Sequence, residues 1–259
     1  MKLISLNIWG GHDLTPLLNF INDQSKDTDI FCFQEVINSE NDGVSKEGYK
    51  YNNLVYIKNC LKNYTCYFHP SHENFLFDSP TNFPLEVGPA IFVKNIITEK
   101  NAKDLFVFRK KSEITLDNKG RSILPKNIQI LKFRKNGRDY MVINLHGITF
   151  PGTKLDTAAR IKQSKKTLGV LNNFNGKKIL VGDFNLMPST KSIKMLEDSG
   201  LVNLIKKYKI RKTRSNLNIY GKQRFADYTL VSKDIKVHNF NVPQNILISD
   251  HLPMILNFN

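Results

Sequence analysis

The sequence predicts a layered α/β fold in which sheets are flanked by helices. Two observations carry that expectation. Short strand-like runs alternate with amphipathic helical ones along all 259 residues, and one pair of runs has the signature of an antiparallel hairpin. A third narrows it: no repeat, low-complexity stretch or linker interrupts the pattern. Residues 1–259 are therefore expected to form a single domain, long enough to bury a large core.

Taken in order, KLISLNI opens the chain as a strand, followed by the amphipathic LTPLLNFINDQ and the strand-like DIFCFQEV. YNNLVYIKNCLKNY is helical, and TCYFHP and VGPAIFVKN are strand candidates. IQILKFRKNGRDYMVINLHG reads as a hairpin, because Asn136-Gly137 suits the tight turn that joins antiparallel strands. From Lys154 to Leu171, the apolar positions Leu155, Ala158, Ala159, Ile161, Leu168 and Leu171 predict a helix. KKILVGDFN is a buried strand running into a loop, and SIKMLEDSG is a short helix stopped by Gly200. FADYTLVS, IKVHNFNV and PMILNF are the last strands. The run before PMILNF, NILIS, also reads as buried strand, which places Asp250 and His251 between two strands.

Composition bounds the function. The chain is 41% hydrophobic and 24% charged, as in soluble globular proteins, and no apolar run approaches bilayer length. MKLISLNIWGG turns polar too soon for a signal peptide. Cys32, Cys60 and Cys66 have no metal-ligand spacing and cannot all pair, which points to a reduced, cytoplasmic protein. The net charge of +15 is uneven: residues 154–222 carry 16 Lys/Arg against four acids. Its densest part, Lys206 to Arg214, holds six basic side chains in nine residues. Such a field attracts polyanions, nucleic acid first. The plainer alternative is solvated surface in a chain rich in Lys, Asn and Ile.

Polar residues suited to catalysis recur where apolar runs end: Asn7, Gln34-Glu35, His146, Asp183, Asn185, Asp227 and Asp250-His251. Any one alone is a turn-former, but strand ends are where sites gather in layered α/β folds. Glu35 can bind Mg²⁺, a hard cation that takes oxygen ligands. Asn7 and Asn185 are neutral and can orient a phosphate oxygen, a water or the metal without repelling an anion. Asp183 can polarise a water, and Asp227 or Asp250 can fix the tautomer of His251. His146 can protonate a leaving oxygen or hold a phosphate oxygen. Water, metal and an imidazole–carboxylate pair together suit in-line hydrolysis of a phosphoester.

LNIWGG, CFQEV, VINLHG, VGDFNLMPS, FADYTLVS and ISDHLP, in that order and spacing, resemble the endonuclease/exonuclease/phosphatase superfamily across nearly the whole chain. The resemblance implies a four-layer αββα sandwich of two packed mixed sheets and a Mg²⁺-dependent site, with Mn²⁺ as a substitute. It implies Glu35, Asp250 and Asn7 on the metal side, and Asp183 and Asn185 around the attacking water and the phosphoryl group. Asp227 would orient His251, and either Asp183 or His251 would be the base.

The same resemblance bears on the branch. Trp9 stands where AP endonucleases often carry an acid, LNIWG is similar to the sphingomyelinase opening, and the 5-phosphatase signature is absent. The expected activity is that of a nuclease acting on DNA or RNA, the alternative being a sphingomyelinase-like or other small-molecule or lipid phosphoesterase. Substrate contacts are expected from Arg160, Lys206, Lys207, Arg211 and Arg214, with Arg121 a weaker candidate. Tyr208 or Tyr220 would stack on a base. A monomer is expected, with membrane-surface contact the lesser possibility.

Overall fold

The computed structural model describes residues 1–218 and 223–259. The chain begins with β1 (Lys2–Asn7), α1 (Leu14–Ser25), β2 (Ile30–Asn38), α2 (Asn53–Cys60), β3 (Tyr64–Phe68) and β4 (His72–Glu73). A small hairpin, β5 (Phe75–Leu76) with β6 (Ser79–Pro80), leads to β7 (Glu86–Lys94) and β8 (Lys100–Phe108). After the ribbon of β9 (Thr115–Leu116) and β10 (Ser122–Ile123) come β11 (Lys126–Lys135) and β12 (Arg138–His146). Then follow α3 (Ala158–Asn172), β13 (Lys177–Asp183), α4 (Lys191–Asp198), β14 (Val202–Asn203) and α5 (Leu204–Lys207). The last strands are β15 (Asp227–Val231), β16 (Val237–Asn241) and β17 (Met254–Phe258).

Two mixed sheets form the centre. One has the order β16-β17-β1-β2-β7-β3, with β4 also on β7; the other runs β14-β15-β13-β12-β11-β8. Each contains one parallel pair, β1 with β2 and β12 with β13, among antiparallel neighbours. Asn136 and Gly137 at the β11–β12 turn both have positive φ, 52° and 71°, as expected for that hairpin.

Strand alternation sorts the side chains into layers. Leu3, Ile30 and Cys32 share a core with Ile128, Ile143 and Val181 of the other sheet. Their neighbours Ile4, Leu6, Phe31 and Phe33 turn the other way, onto Leu17 and Ile21 of α1 and Leu54 and Ile57 of α2. Leu171 of α3 and Ile193 and Leu196 of α4 cover the second sheet. The result is the αββα sandwich. Each fully buried Leu or Ile contributes about 1.5–3 kcal/mol, so this double core dominates stability.

Between the sheets the packing is not wholly apolar. Gln34 Nε2 of β2 donates to Asn144 Oδ1 of β12 at 2.6 Å, and Asn144 Nδ2 donates to the carbonyl of Phe33 at 3.0 Å and to Gln129 Oε1 at 3.1 Å.

Two expectations need correction. The run NILIS is a loop, because Ser249 spends its hydroxyl on the carbonyl of Asn7 (2.7 Å) and Ser215 caps the carbonyl of Ser249 (2.6 Å). The helix expected from Lys154 begins at Ala158, where Thr157 accepts the backbone N–H of Arg160 at 3.2 Å as its N-cap. The edge strand β8 was not anticipated: its first half, KNAKD, is polar and alternately exposed, and only LFVF at its end is apolar.

Candidate active site

The same alternation explains why the polar strand ends meet. Asn7 follows Leu3 and Ser5 on the inward face of β1, and His146 follows Asn144 on the inward face of β12. Parallel pairing sets His146 opposite Asp183, and antiparallel pairing sets Asp183 opposite Asp227. Gly147 lets the strands close in: its N–H donates to the carbonyl of Asp183 at 2.6 Å, and a Cβ there would stand 2.3 Å from the carbonyl oxygen of Phe184.

Asn7, Glu35, His146, Asp183, Asn185, Asp227, Asp250 and His251 all lie at one end of the sandwich, and all but Asn7 and Asp227 line a cleft of about 310 Å³. Asn7 Nδ2 donates to Glu35 Oε1 at 2.9 Å and to Asp183 Oδ2 at 3.2 Å, while its Oδ1 accepts the N–H of Trp9 at 3.0 Å. The expectation of Asn7 as a metal ligand is therefore revised: it turns its NH₂ to the two carboxylates, and an amide nitrogen does not ligate a cation. Asp183 Oδ1 accepts the Asn185 N–H at 2.8 Å, which leaves Oδ2 facing the cleft.

His251 Nδ1 lies 2.8 and 2.9 Å from the two oxygens of Asp227. Its Nε2 faces Asp183 Oδ2 at 3.6 Å and Asp250 Oδ1 at 3.7 Å, and accepts from Arg214 Nη1. Between the two candidates left open for the partner of His251, the hydrogen bond goes to Asp227. Arg214 Nη2 pairs with Asp250 Oδ2 at 2.8 Å. Four of the residues lining the cleft or its rim, Trp9, Glu35, Lys154 and Asn185, have φ between 51° and 61°. Left-handed backbone at non-glycine residues costs energy and persists where surrounding contacts fix it.

Burial governs the ionisation. Burial, with Asp250 nearby, pushes the Glu35 carboxyl up to about 7. Burial raises Asp227 to about 7 and lowers His251 to about 4, so the pair favours a single shared proton over separated charges. His146 is held well below its ordinary value by burial and by Lys126, whose Nζ sits 3.3 Å from His146 Nε2.

A divalent cation fits this chemistry. Asp183 and Asp250 are buried and Glu35 half-buried, all three offer carboxylate oxygens, and hard cations take such ligands. Asp183, Asp227 and His251 also bring ligand atoms within 4.8 Å of one another. Both Asp227 oxygens, however, are committed to His251 Nδ1, which favours the side occupied by Glu35 and Asp250.

The expected substrate contacts divide. Arg214 lines the cleft, and Arg211 lines a groove that shares Arg214 and Gln223 with it. Arg160 does not reach the cleft: it is fully buried, with its guanidinium on the carbonyls of Ile148, Thr149, Pro151 and Leu155. Lys206 pairs with Glu197 at 2.7 Å and Lys207 is exposed on α5; neither lines the cleft. Arg121 is tied to Asp117 and Tyr208 packs on Phe240, and neither lines the cleft. Tyr220 lies outside the described residues. Sequence reasoning missed Lys126, Lys154 and the aromatic wall of Trp9, Tyr49 and Phe77. For the lysines no local signal was available, since a buried lysine reads in sequence like a solvated one.

The fold and the strand-end cleft define a layered α/β protein built around a buried acid–imidazole centre. Residues 4–251 match the Endonuclease/Exonuclease/phosphatase family, and the chain belongs to that family of phosphoester hydrolases, which generally use divalent metals. Among solved structures it is similar to a family protein from Leptotrichia buccalis (18% identity, TM-score 0.71), covering 100% of this chain and 99% of that one. It is similar to a mannosyl-6-phosphatase of Bacteroides thetaiotaomicron (17% identity, TM-score 0.68, 100% and 99% covered). It also resembles the human Nocturnin catalytic domain with bound sulfate (18% identity, TM-score 0.67, 100% and 94% covered). No curated protein sequence gives a significant match.

Proposed function

We propose that this chain is a Mg²⁺-dependent phosphodiesterase, with Mn²⁺ as a substitute, that cleaves DNA or RNA. The observation that carries the nucleic-acid reading is the continuity of the cleft, through Arg214 and Gln223, with a groove lined by Arg211, Lys212 and Arg224. A polyanion threaded along that groove would place one phosphate at the acids and imidazole. The enzyme acts as a single-domain monomer in a reducing cytoplasm, a reading in keeping with three free cysteines.

The bound cation would be held by Glu35 and Asp250 and would neutralise charge on the phosphoryl oxygens. The chain's own residues do the rest. Asp227 keeps the His251 proton on Nδ1, so Nε2 carries the lone pair, now occupied by Arg214. When Arg214 turns to an incoming phosphate, Nε2 and Asp183 Oδ2 are left 3.6 Å apart, spaced to hold and deprotonate a water. Asn7 holds Glu35 and Asp183 in register, and Asn185 offers its amide to the phosphoryl group. His146, kept neutral, accepts from the Lys126 ammonium, whose pKa is lowered to about 8, and that ammonium would supply the proton to the leaving oxygen.

A small phosphoester is the second reading, favoured by the enclosed aromatic wall of Trp9, Tyr49 and Phe77. Its support includes the likeness to a mannosyl-6-phosphatase. One panel separates the two: plasmid DNA, single-stranded DNA, RNA, sugar phosphates, inositol phosphates and sphingomyelin vesicles, each with Mg²⁺ or EDTA. Cleavage of nucleic acid that falls steeply with salt supports the first reading, and turnover of sugar phosphates alone supports the second. Asp183→Ala and His251→Ala serve as blanks, and equal activity in them would sink the site.

A further inference from the structure

We infer that Lys154 is a further phosphate contact of the cleft, presented on a loop whose shape is fixed by Arg160. The inference rests on the phosphoesterase reading only for the identity of the anion.

The loop comes first. Arg160 Nε and Nη2 each donate to the carbonyl of Ile148 at 3.1 Å. Nη2 also reaches Thr149 (3.1 Å) and Pro151 (2.7 Å), and Nη1 reaches Leu155 (2.6 Å). One guanidinium thus satisfies four carbonyls of residues 148–155, a task suited to its fixed fork of five donors. Within that loop Lys154 has φ 55°, and its carbonyl accepts the Met187 N–H at 2.8 Å. The second contact locks the loop onto the chain following Asp183 and Asn185.

The side chain is what the loop delivers. Lys154 is 8% exposed and lines the cleft, with Nζ 2.6 Å from Asn185 Oδ1. Among the described residues it makes no ion pair, so a buried ammonium has a neutral amide as its partner. A buried charge so placed is poorly compensated, and two of its three N–H groups remain to be used. The other cations of the cleft are differently engaged: Arg214 holds Asp250 and His251, and Lys126 stands against His146. Lys126 also has donors to spare, but it stands at His146; Lys154 is the lysine held at Asn185, where the phosphoryl group sits in the proposed reaction. Asp183 and Asp227 act on Lys154 only from beyond ion-pair distance, and a phosphate oxygen there supplies a directly bonded negative partner.

The test uses the whole chain with Mg²⁺ present and inorganic phosphate as the probe, at ionic strength fixed with chloride. Thermal melts should show wild type stabilised by phosphate, Lys154→Met losing that shift, and Lys154→Arg keeping most of it. Exposed Lys62→Gln should behave as wild type. On whichever phosphoester is turned over, kcat/KM of Lys154→Met should fall about 10- to 100-fold, the range for losing a hydrogen bond to a charged group. The charge-keeping Lys154→Arg should recover part of it. A full phosphate shift in a folded Lys154→Met would overturn the inference while leaving phosphoester hydrolysis untouched. Loss of the shift in a chain that cleaves no phosphoester would overturn the activity and keep the contact. Should Lys154→Met not fold, Lys154→Gln gives the same comparison with a polar side chain of similar reach.

Discussion

His251 presents Nδ1 to both oxygens of Asp227, at 2.8 and 2.9 Å, and leaves Nε2 pointing at Asp183 from 3.6 Å. A carboxylate on the far side of the ring fixes where the imidazole proton sits. Asp227→Asn keeps the shape and offers an amide instead, so the ring is free to take the wrong tautomer. The expected result is a folded protein with kcat lower by about 10²–10⁴-fold, the scale seen when such a carboxylate is neutralised. Steady-state kinetics beside a melting curve will decide; a drop under tenfold would remove Asp227 from the mechanism.

The carboxyl of Glu35, raised to about 7 by burial and by Asp250, links metal affinity to pH. Below pH 7 the cation competes with a proton, and above it the carboxylate is already free. Mg²⁺ affinity should therefore climb between about pH 5 and 7 and level off above. Titration calorimetry in two buffers should also register proton release on binding below pH 7. Affinity indifferent to pH would argue that Glu35 is no ligand.

His72 sets an acid limit on stability. It is buried, its Nδ1 meets Ser71 Oγ at 2.8 Å, and burial together with Lys126 pushes its pKa down to about 3. Unfolded, a histidine titrates near 6.5, so between those values the unfolded chain binds a proton that the folded chain refuses. Stability is thus full above about pH 6.5 and lost as pH falls, at up to about 1.4 kcal/mol per pH unit. In His72→Gln the acid limb of the melting profile should be shallower than in wild type. An unchanged limb would show that His72 takes up its proton at an ordinary pH.

Arg160→Lys should be costly although the charge is kept. An ammonium cannot reach four carbonyls spread over residues 148–155, and each one left buried without a donor is penalised. A loss of about 3 kcal/mol, or roughly 6–10 °C in melting temperature for a chain of this size, is expected. A melting temperature within a degree of wild type would contradict the loop-holding role.

Gly147→Ala tests the closeness of β12 to the residues after β13. The new methyl would stand 2.3 Å from a backbone oxygen that cannot rotate away, so the strands must separate. Activity and stability should fall together, by about 3 kcal/mol or more in stability. A silent substitution would show that the strand ends tolerate a wider gap.

Much of the site was legible because its residues are local signatures: GDFN, QEV and SDH each join an apolar run to a polar group. Alternation carries Asp183 inward, whereas Glu35 is turned by a break in the β2 register and Asp250 and His251 by a loop. What was hidden depended on tertiary context. Lys126 and Lys154 are two among 38 Lys/Arg, and nothing local separates a buried lysine from a solvated one. Arg160 lies in a basic helix, yet its guanidinium turns under the preceding loop, a direction that helix periodicity does not encode. The NILIS run was apolar enough for a strand, but the hydroxyls of Ser215 and Ser249 hold it as a loop.

The bridge from Gln34 to Asn144 has a consequence for when this protein becomes competent. Asn7 and Glu35 belong to one wall of the sandwich, and His146, Asp183 and Asp227 to the other, with Asn7 and Asp183 separated by 176 residues in the chain. Neither wall alone holds half a reaction. A slip of one residue between them, about 3.3 Å, would part every pair that spans the gap and leave the amides without partners. The buried amides thus act as a key between two plates. Catalytic competence should arrive last in folding, at the moment the plates lock, and refolding followed by activity should lag refolding followed by secondary structure.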